Sequence, residues 1–96
     1  MGAGEWRVTV LPRAEKQLDR LGDREREACL DELEDMEQGY FGDTAPLRGH
    51  RNFERLKFYR KAYRIIYRIN RRDRRILVTK IAKRDEKTYR GFNPNE

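Results

Sequence analysis

Tyr63-Arg64-Ile65-Ile66-Tyr67-Arg68-Ile69 is the stretch on which the architecture turns. Tyr63, Ile65, Tyr67 and Ile69 occupy alternate positions, with Arg64, Ile66 and Arg68 between them, which is the period of a strand with one face in a core. Two further β-rich runs flank it, Phe53 to Tyr59 before and Arg75 to Ala82 after. The links, Arg60-Lys61-Ala62 and Asn70-Arg71-Arg72-Asp73-Arg74, are short enough for hairpins, so the three strands are expected to pair antiparallel.

Upstream the periodicity changes. Trp6 to Leu11 alternates apolar and polar and reads as a first strand. Pro12 suits the first turn of a helix, where its missing N–H costs nothing. Ala14, Leu18 and Leu21 share one face of that helix, and Gly22 is expected to stop it. Asp23 is the expected N-cap of a second helix running to about Gln38, with Cys29, Leu33, Met36 and Tyr40 as its apolar stripe, Leu30 beside it and Gly39 at its end. Tyr40 to Asn52 lacks periodicity and reads as a loop. The tail, Lys83 to Phe92, is read as a short C-terminal helix. The expectation is a single α+β domain over residues 1–96, ordered β-α-α-β-β-β.

Ninety-six residues is close to the lower limit for an unaided core, and only 36% are hydrophobic while 42% are charged. The regular spacing of the apolar residues argues for a thin core under a charged surface rather than disorder. A lone cysteine, Cys29, rules out an intrachain disulfide and suits a reducing compartment. No stretch reads as a signal peptide or bilayer span, so a soluble, cytoplasmic protein is expected.

The net charge of +6 conceals a division. Met1 to Leu47 carries 6 Lys/Arg against 12 Asp/Glu, and Arg48 to Glu96 carries 17 against 5. The basic half should attract polyanions with a salt-dependent affinity. Its cations fall in segments of strand character rather than on an amphipathic helix, which favours nucleic acid over a membrane surface. Alternation places Phe53, Arg55, Lys57 and Tyr59 on one face and Leu56 and Phe58 on the other, and Arg64 joins Arg55 and Lys57 if the Tyr/Ile face is buried. Cations for phosphates and rings for bases would then share a surface suited to single-stranded RNA.

His50, the one histidine, lies in a loop between Arg48 and Arg51, so a paired-histidine nuclease is excluded. The basic half offers only Glu54, Asp73, Asp85, Glu86 and Glu96 as carboxylates, which disfavours a two-metal mechanism; no metal or cofactor is expected.

Leu47-Arg48-Gly49, Arg55-Leu56-Lys57, Ala62-Tyr63-Arg64-Ile65-Ile66-Tyr67, Ile81-Ala82-Lys83-Arg84 and Tyr89 together resemble the RelE/ParE superfamily of toxin-antitoxin toxins, and the basic set resembles its RelE branch. The resemblance implies a ribosome-dependent endoribonuclease that cuts messenger RNA in the A site, beside 16S rRNA, and is neutralised by a cognate antitoxin. It implies catalytic roles for Arg55, Lys57, Arg64, Arg84 and Tyr89, in a metal-free attack of a ribose 2′-hydroxyl on the adjacent phosphate. Arg48, Arg51, Tyr59, Arg68 and Lys83 are the expected further RNA contacts. Arg55 stands where RelE carries lysine, and Ala62 where glycine is frequent. Two other readings are a ParE-like gyrase inhibitor and a catalytically silent RNA-binding module.

Overall fold

The alternation that marks Tyr63 to Ile69 as a strand also dictates what the strand must bury, and the computed structural model, which describes residues 5–84, shows how. The elements are β1 (Arg7–Val10), α1 (Pro12–Asp19), α2 (Asp23–Glu37), β2 (Asp43–Pro46), β3 (Phe53–Phe58), β4 (Tyr63–Asn70) and β5 (Arg75–Lys83). Ile65, Tyr67 and Ile69 of β4 are buried with Leu56 and Phe58 of β3 and Ile76, Val78 and Ile81 of β5. Both helices cover this face, contributing Ala14, Leu18, Cys29, Leu33 and Met36. Burial, helped by Glu32, pushes the Cys29 thiol up to about 12, which makes it a core residue rather than a nucleophile.

The expected element order is present, but the sheet is larger than three strands. Five strands run in the order β1-β5-β4-β3-β2. The β3–β4 and β4–β5 pairs are antiparallel as expected, while β1 lies parallel to β5, with Val8 opposite Ile76. The helical hairpin thus carries the chain over one face of a mixed sheet. The expected loop from Tyr40 to Asn52 contains β2, which pairs Asp43 with Lys57 and Ala45 with Arg55. A four-residue strand ending in proline shows no alternation, and Pro46 is tolerated because β2 is the sheet's edge.

Smaller departures have local causes. Helix α1 ends at Asp19, and Gly22 is the N-cap of α2, so Asp23 stands in the first turn, where its carboxylate suits the positive end of the helix. Gly39 has φ 87° and turns the chain out of the helix, which leaves Tyr40 exposed instead of in the stripe. The expected C-terminal helix lies outside the described residues.

One irregularity decides the faces of β5. Ile66 pairs with Lys80 and Tyr67 with Val78, so Thr79 is a β-bulge. Strict alternation from Ile76 and Val78 would drive Lys80 into the core; the extra residue delivers Ile81 there instead. The Thr79 hydroxyl donates to the Ile66 carbonyl at 3.2 Å, and the Ile81 N–H is satisfied by the Gln17 side-chain carbonyl at 2.8 Å. No helix among the described residues is long and apolar enough to cross a membrane.

Candidate nucleic-acid interface

Since α1 and α2 both pack on one face of the sheet, the other face carries what the alternation leaves over. Register sets it out in rows. One row runs Asp43, Lys57, Arg64, Ala82 and the next Ala45, Arg55, Ile66, Lys80 across β2, β3, β4 and β5. Directly opposed residues have Cβ atoms about 5 Å apart, so Lys57 faces Arg64 across the β3–β4 ladder and Arg55 is two residues along the same strand. The backbone N–H of Arg84 donates to the Ala62 carbonyl at 2.7 Å, extending the ladder so that Arg84 follows Ala82 onto this face. Four of the five residues for which the family resemblance implies catalytic roles therefore gather at one end of one sheet face. Tyr89 lies outside the described residues.

The environments of these cations differ. Lys57 is held below the ordinary lysine range, first by Arg55, then by partial desolvation, then by Arg64, with a smaller contribution from Lys61; Asp43, directly opposite, works against them. Arg55 donates through Nη1 to the Asp43 carbonyl at 2.8 Å and lies 3.5 Å from its carboxylate. Arg64, expected on the exposed surface, is buried. Its Nη1 donates to the Lys61 carbonyl at 2.6 Å and to the Tyr63 carbonyl at 3.1 Å.

That burial has a local reason. Tyr59, Arg60 and Lys61 have φ of 49°, 58° and 63°, a left-handed run of three side-chain-bearing residues. Each costs about 1–2 kcal/mol relative to ordinary backbone. Charge-assisted hydrogen bonds contribute about 1.5–3 kcal/mol each, so the Arg64 guanidinium offsets a large share of the turn's strain. Nε and Nη2 retain their own donors for a ligand.

Other expected contacts are placed elsewhere. Tyr59 leaves β3 at the left-handed turn, and its ring packs edge-on against Tyr63, at 6.1 Å between centroids, beside the core. Phe53 has the parity of the basic face but is buried. Arg48, Arg51 and His50 belong to the turn before β3, near the Arg68 end of the sheet and about 13 Å along the strand from Lys57. Lys83 pairs with Tyr63, which puts it on the helix-bearing side. Arg68 is exposed on the basic face, two rows from Lys57.

Two residues of this face escape a reading by alternation alone. Lys80 reaches it only through the bulge at Thr79; the signal was the spacing of Ile76, Val78 and Ile81, two then three. Asp43 reaches it through β2, which has no periodic signature. Because Asp43 holds the Lys57 pKa up, Asp43→Asn should lower it further. In a pH–rate profile where Lys57 must be neutral, the inflection is expected to move to lower pH, and an unchanged or raised inflection would show that Asp43 is not acting on Lys57.

No family model and no curated protein matches the sequence. Solved structures do match. The RelBE2 toxin-antitoxin complex of Mycobacterium tuberculosis contains a chain with TM-score 0.71 and 20% identity, covering 83% of this chain and 99% of that one. The isolated Escherichia coli RelE toxin matches with TM-score 0.66 and 25% identity over 84% of this chain and 88% of that one. The archaeal RelE–RelB complex of Pyrococcus horikoshii matches with TM-score 0.66 and 24% identity over 84% and 97%. The chain carries the fold of the RelE toxins.

Proposed function

We propose that the chain is the toxin of a type II toxin-antitoxin pair and a ribosome-dependent endoribonuclease that cuts messenger RNA in the A site. The observation that carries this is the opposition of Lys57 and Arg64 across the β3–β4 ladder, with Arg55 beside them and the Lys57 amine held below its ordinary range. A lysine with a lowered pKa is neutral more often at physiological pH and can accept a proton, whereas a guanidinium stays charged.

Lys57 takes the proton of a ribose 2′-hydroxyl as its oxygen attacks the adjacent phosphorus. The bond from phosphorus to the 5′-oxygen breaks, leaving a 2′,3′-cyclic phosphate and a 5′-hydroxyl. Arg55 and the remaining donors of Arg64 stabilise the charge gathering on the phosphoryl oxygens. Arg84 faces the developing charge on the departing 5′-oxygen, which takes its proton from water. Tyr89 orients the nucleotide. Positioning by the ribosome supplies the alignment that an open sheet face lacks.

The matched chain of M. tuberculosis is in a toxin-antitoxin complex, and that of P. horikoshii is in a RelE–RelB complex. A cognate antitoxin is the corresponding partner here, and the basic sheet face is the natural target for an acidic one. Mapping message 5′ ends in cells expressing the chain tests the reading. Codon-phased cuts are expected; intact messages with double-strand DNA breaks would replace it with gyrase inhibition.

A further inference from the structure

The basic face does not end with the Lys57 row. At the other end of the same sheet face, three strands each contribute an arginine: Arg7 from β1, Arg75 from β5 and Arg68 from β4. Arg7 and Arg75 are directly opposed across the parallel pair, and Arg68 lies in the next row, opposite Leu77. All three are exposed and line a groove of about 420 Å³ with Thr9, Asn70 and Leu77. None forms an ion pair within the described residues, although Glu5, Glu37 and Asp73 border the adjoining hollow beside Arg7 and Arg75.

Like charges directly opposed on neighbouring strands destabilise a sheet. An arginine pair without an ion pair among the described residues, with a third arginine on the same groove, is an arrangement that an anion relieves. Arg68 lies about 13 Å along β4 from Arg64, a gap that a few nucleotides of single strand span. Leu77, directly opposite Arg68 and partly exposed, gives an unstacked base an apolar surface to meet.

We propose that Arg7, Arg68 and Arg75 form a second phosphate-binding site on the sheet, continuous with the Lys57 site, and that it holds the backbone of the same single-stranded RNA a few nucleotides from the scissile bond. This rests on the RNA-cleaving reading of the Lys57 site for its choice of ligand. It adds a site that reads no sequence and carries out no chemistry, and whose contribution is electrostatic and falls with salt.

The test is fluorescence anisotropy with labelled oligouridine of about twelve and about two nucleotides, the shorter too short to bridge the gap, comparing the native chain with Arg7→Gln/Arg68→Gln/Arg75→Gln. A strand long enough to bridge both sites gains from the second contact as an intramolecular event. The native chain is expected to bind the long strand at least about tenfold more tightly than the short one. The triple variant should lose that advantage, with a salt slope shallower by about 2, since each phosphate contact on a single strand contributes about 0.7. An unchanged melting temperature or a raised one is expected for the variant, because it removes the like-charge pair.

An unchanged length advantage and slope in the variant overturns the proposal, as does a native chain with no length advantage. A glutamate-rich peptide that binds through these arginines while RNA binding is unaffected also overturns it, assigning the surface to a protein. Message cleavage in a translating extract, measured in parallel, separates the two readings. Absence of cleavage with the length advantage intact removes the nuclease and leaves the second site; cleavage without a length advantage removes the second site alone.

Discussion

Lys57→Ala is expected to slow single-turnover cleavage of ribosome-bound message by about 10²- to 10⁴-fold, the range contributed by a positioned general acid or base. Lys57 is directly opposite Arg64 and two residues from Arg55 on its own strand, and both arginines depress its pKa. Arginine at position 57 separates the two things a lysine can do here. A guanidinium keeps the positive charge and can hold a phosphate, but it cannot accept a proton at any working pH. If Lys57 is the base, Lys57→Arg is as slow as Lys57→Ala. Recovery of most of the rate by arginine would reassign Lys57 to phosphate binding. The native rate should also climb with pH and level off below the pH at which an ordinary lysine titrates.

The largest effect on stability is expected on the other face of the sheet. Glu54 is buried and accepts the Tyr67 hydroxyl at 2.8 Å through Oε1 and Arg71 at 2.6 Å through Oε2. The Thr44 hydroxyl donates to Tyr67 in turn, so the network joins β2, β3 and β4 at the edge of the core. Burial, followed by the hydrogen bond to Glu54, raises the Tyr67 pKa and keeps the phenol protonated as a donor. Glu54→Ala strands that donor and opens a small cavity, at an expected cost of about 3 kcal/mol. At about 4–8 °C per kcal/mol for a domain of this size, the melting temperature should fall by more than about 10 °C.

Glu54→Gln decides which bond matters. The amide keeps an acceptor for Tyr67 and loses the charge that attracts Arg71. The Arg71 side chain is 67% exposed, so that ion pair contributes no more than about 1 kcal/mol. The glutamine variant should therefore lose roughly a third of what the alanine variant loses. Equal losses, measured by thermal or urea unfolding, would show that the ion pair rather than the tyrosine bond holds the network together.

Much of the fold was legible because two periods coincide with two kinds of element. The alternation in Tyr63 to Ile69 forces a strand, and the helical stripe of Cys29, Leu33 and Met36 gives that strand a partner to bury against. Local pattern carries no information on which non-neighbouring strand β1 joins, so its parallel pairing with β5 was out of reach. Strand β2 was hidden because edge strands need no apolar face and tolerate proline.

At the candidate site, alternation brought Arg55, Lys57 and Arg64 to one face correctly. It failed where backbone geometry departs from the regular pleat. Positive φ at Tyr59 carries that ring away to Tyr63, and the bulge at Thr79 brings Lys80 in. Arg64 shows a further limit: a charged residue on a basic face reads as exposed, yet the carbonyls of the left-handed turn give its guanidinium reason to be buried. The hydrogen bond between Glu54 and Tyr67 was out of reach too, since Tyr67 is thirteen residues away on the next strand.

The proposed cleavage makes the message's own 2′-hydroxyl the nucleophile. It is tested most directly by programming purified translating ribosomes with two messages that differ only in a 2′-deoxy sugar at the nucleotide before the cut. Cleavage of the all-ribose message is expected, leaving a 2′,3′-cyclic phosphate and a 5′-hydroxyl, while the deoxy message stays intact. Equal cleavage of both, or product ends bearing a 3′-hydroxyl and a 5′-phosphate, would contradict it.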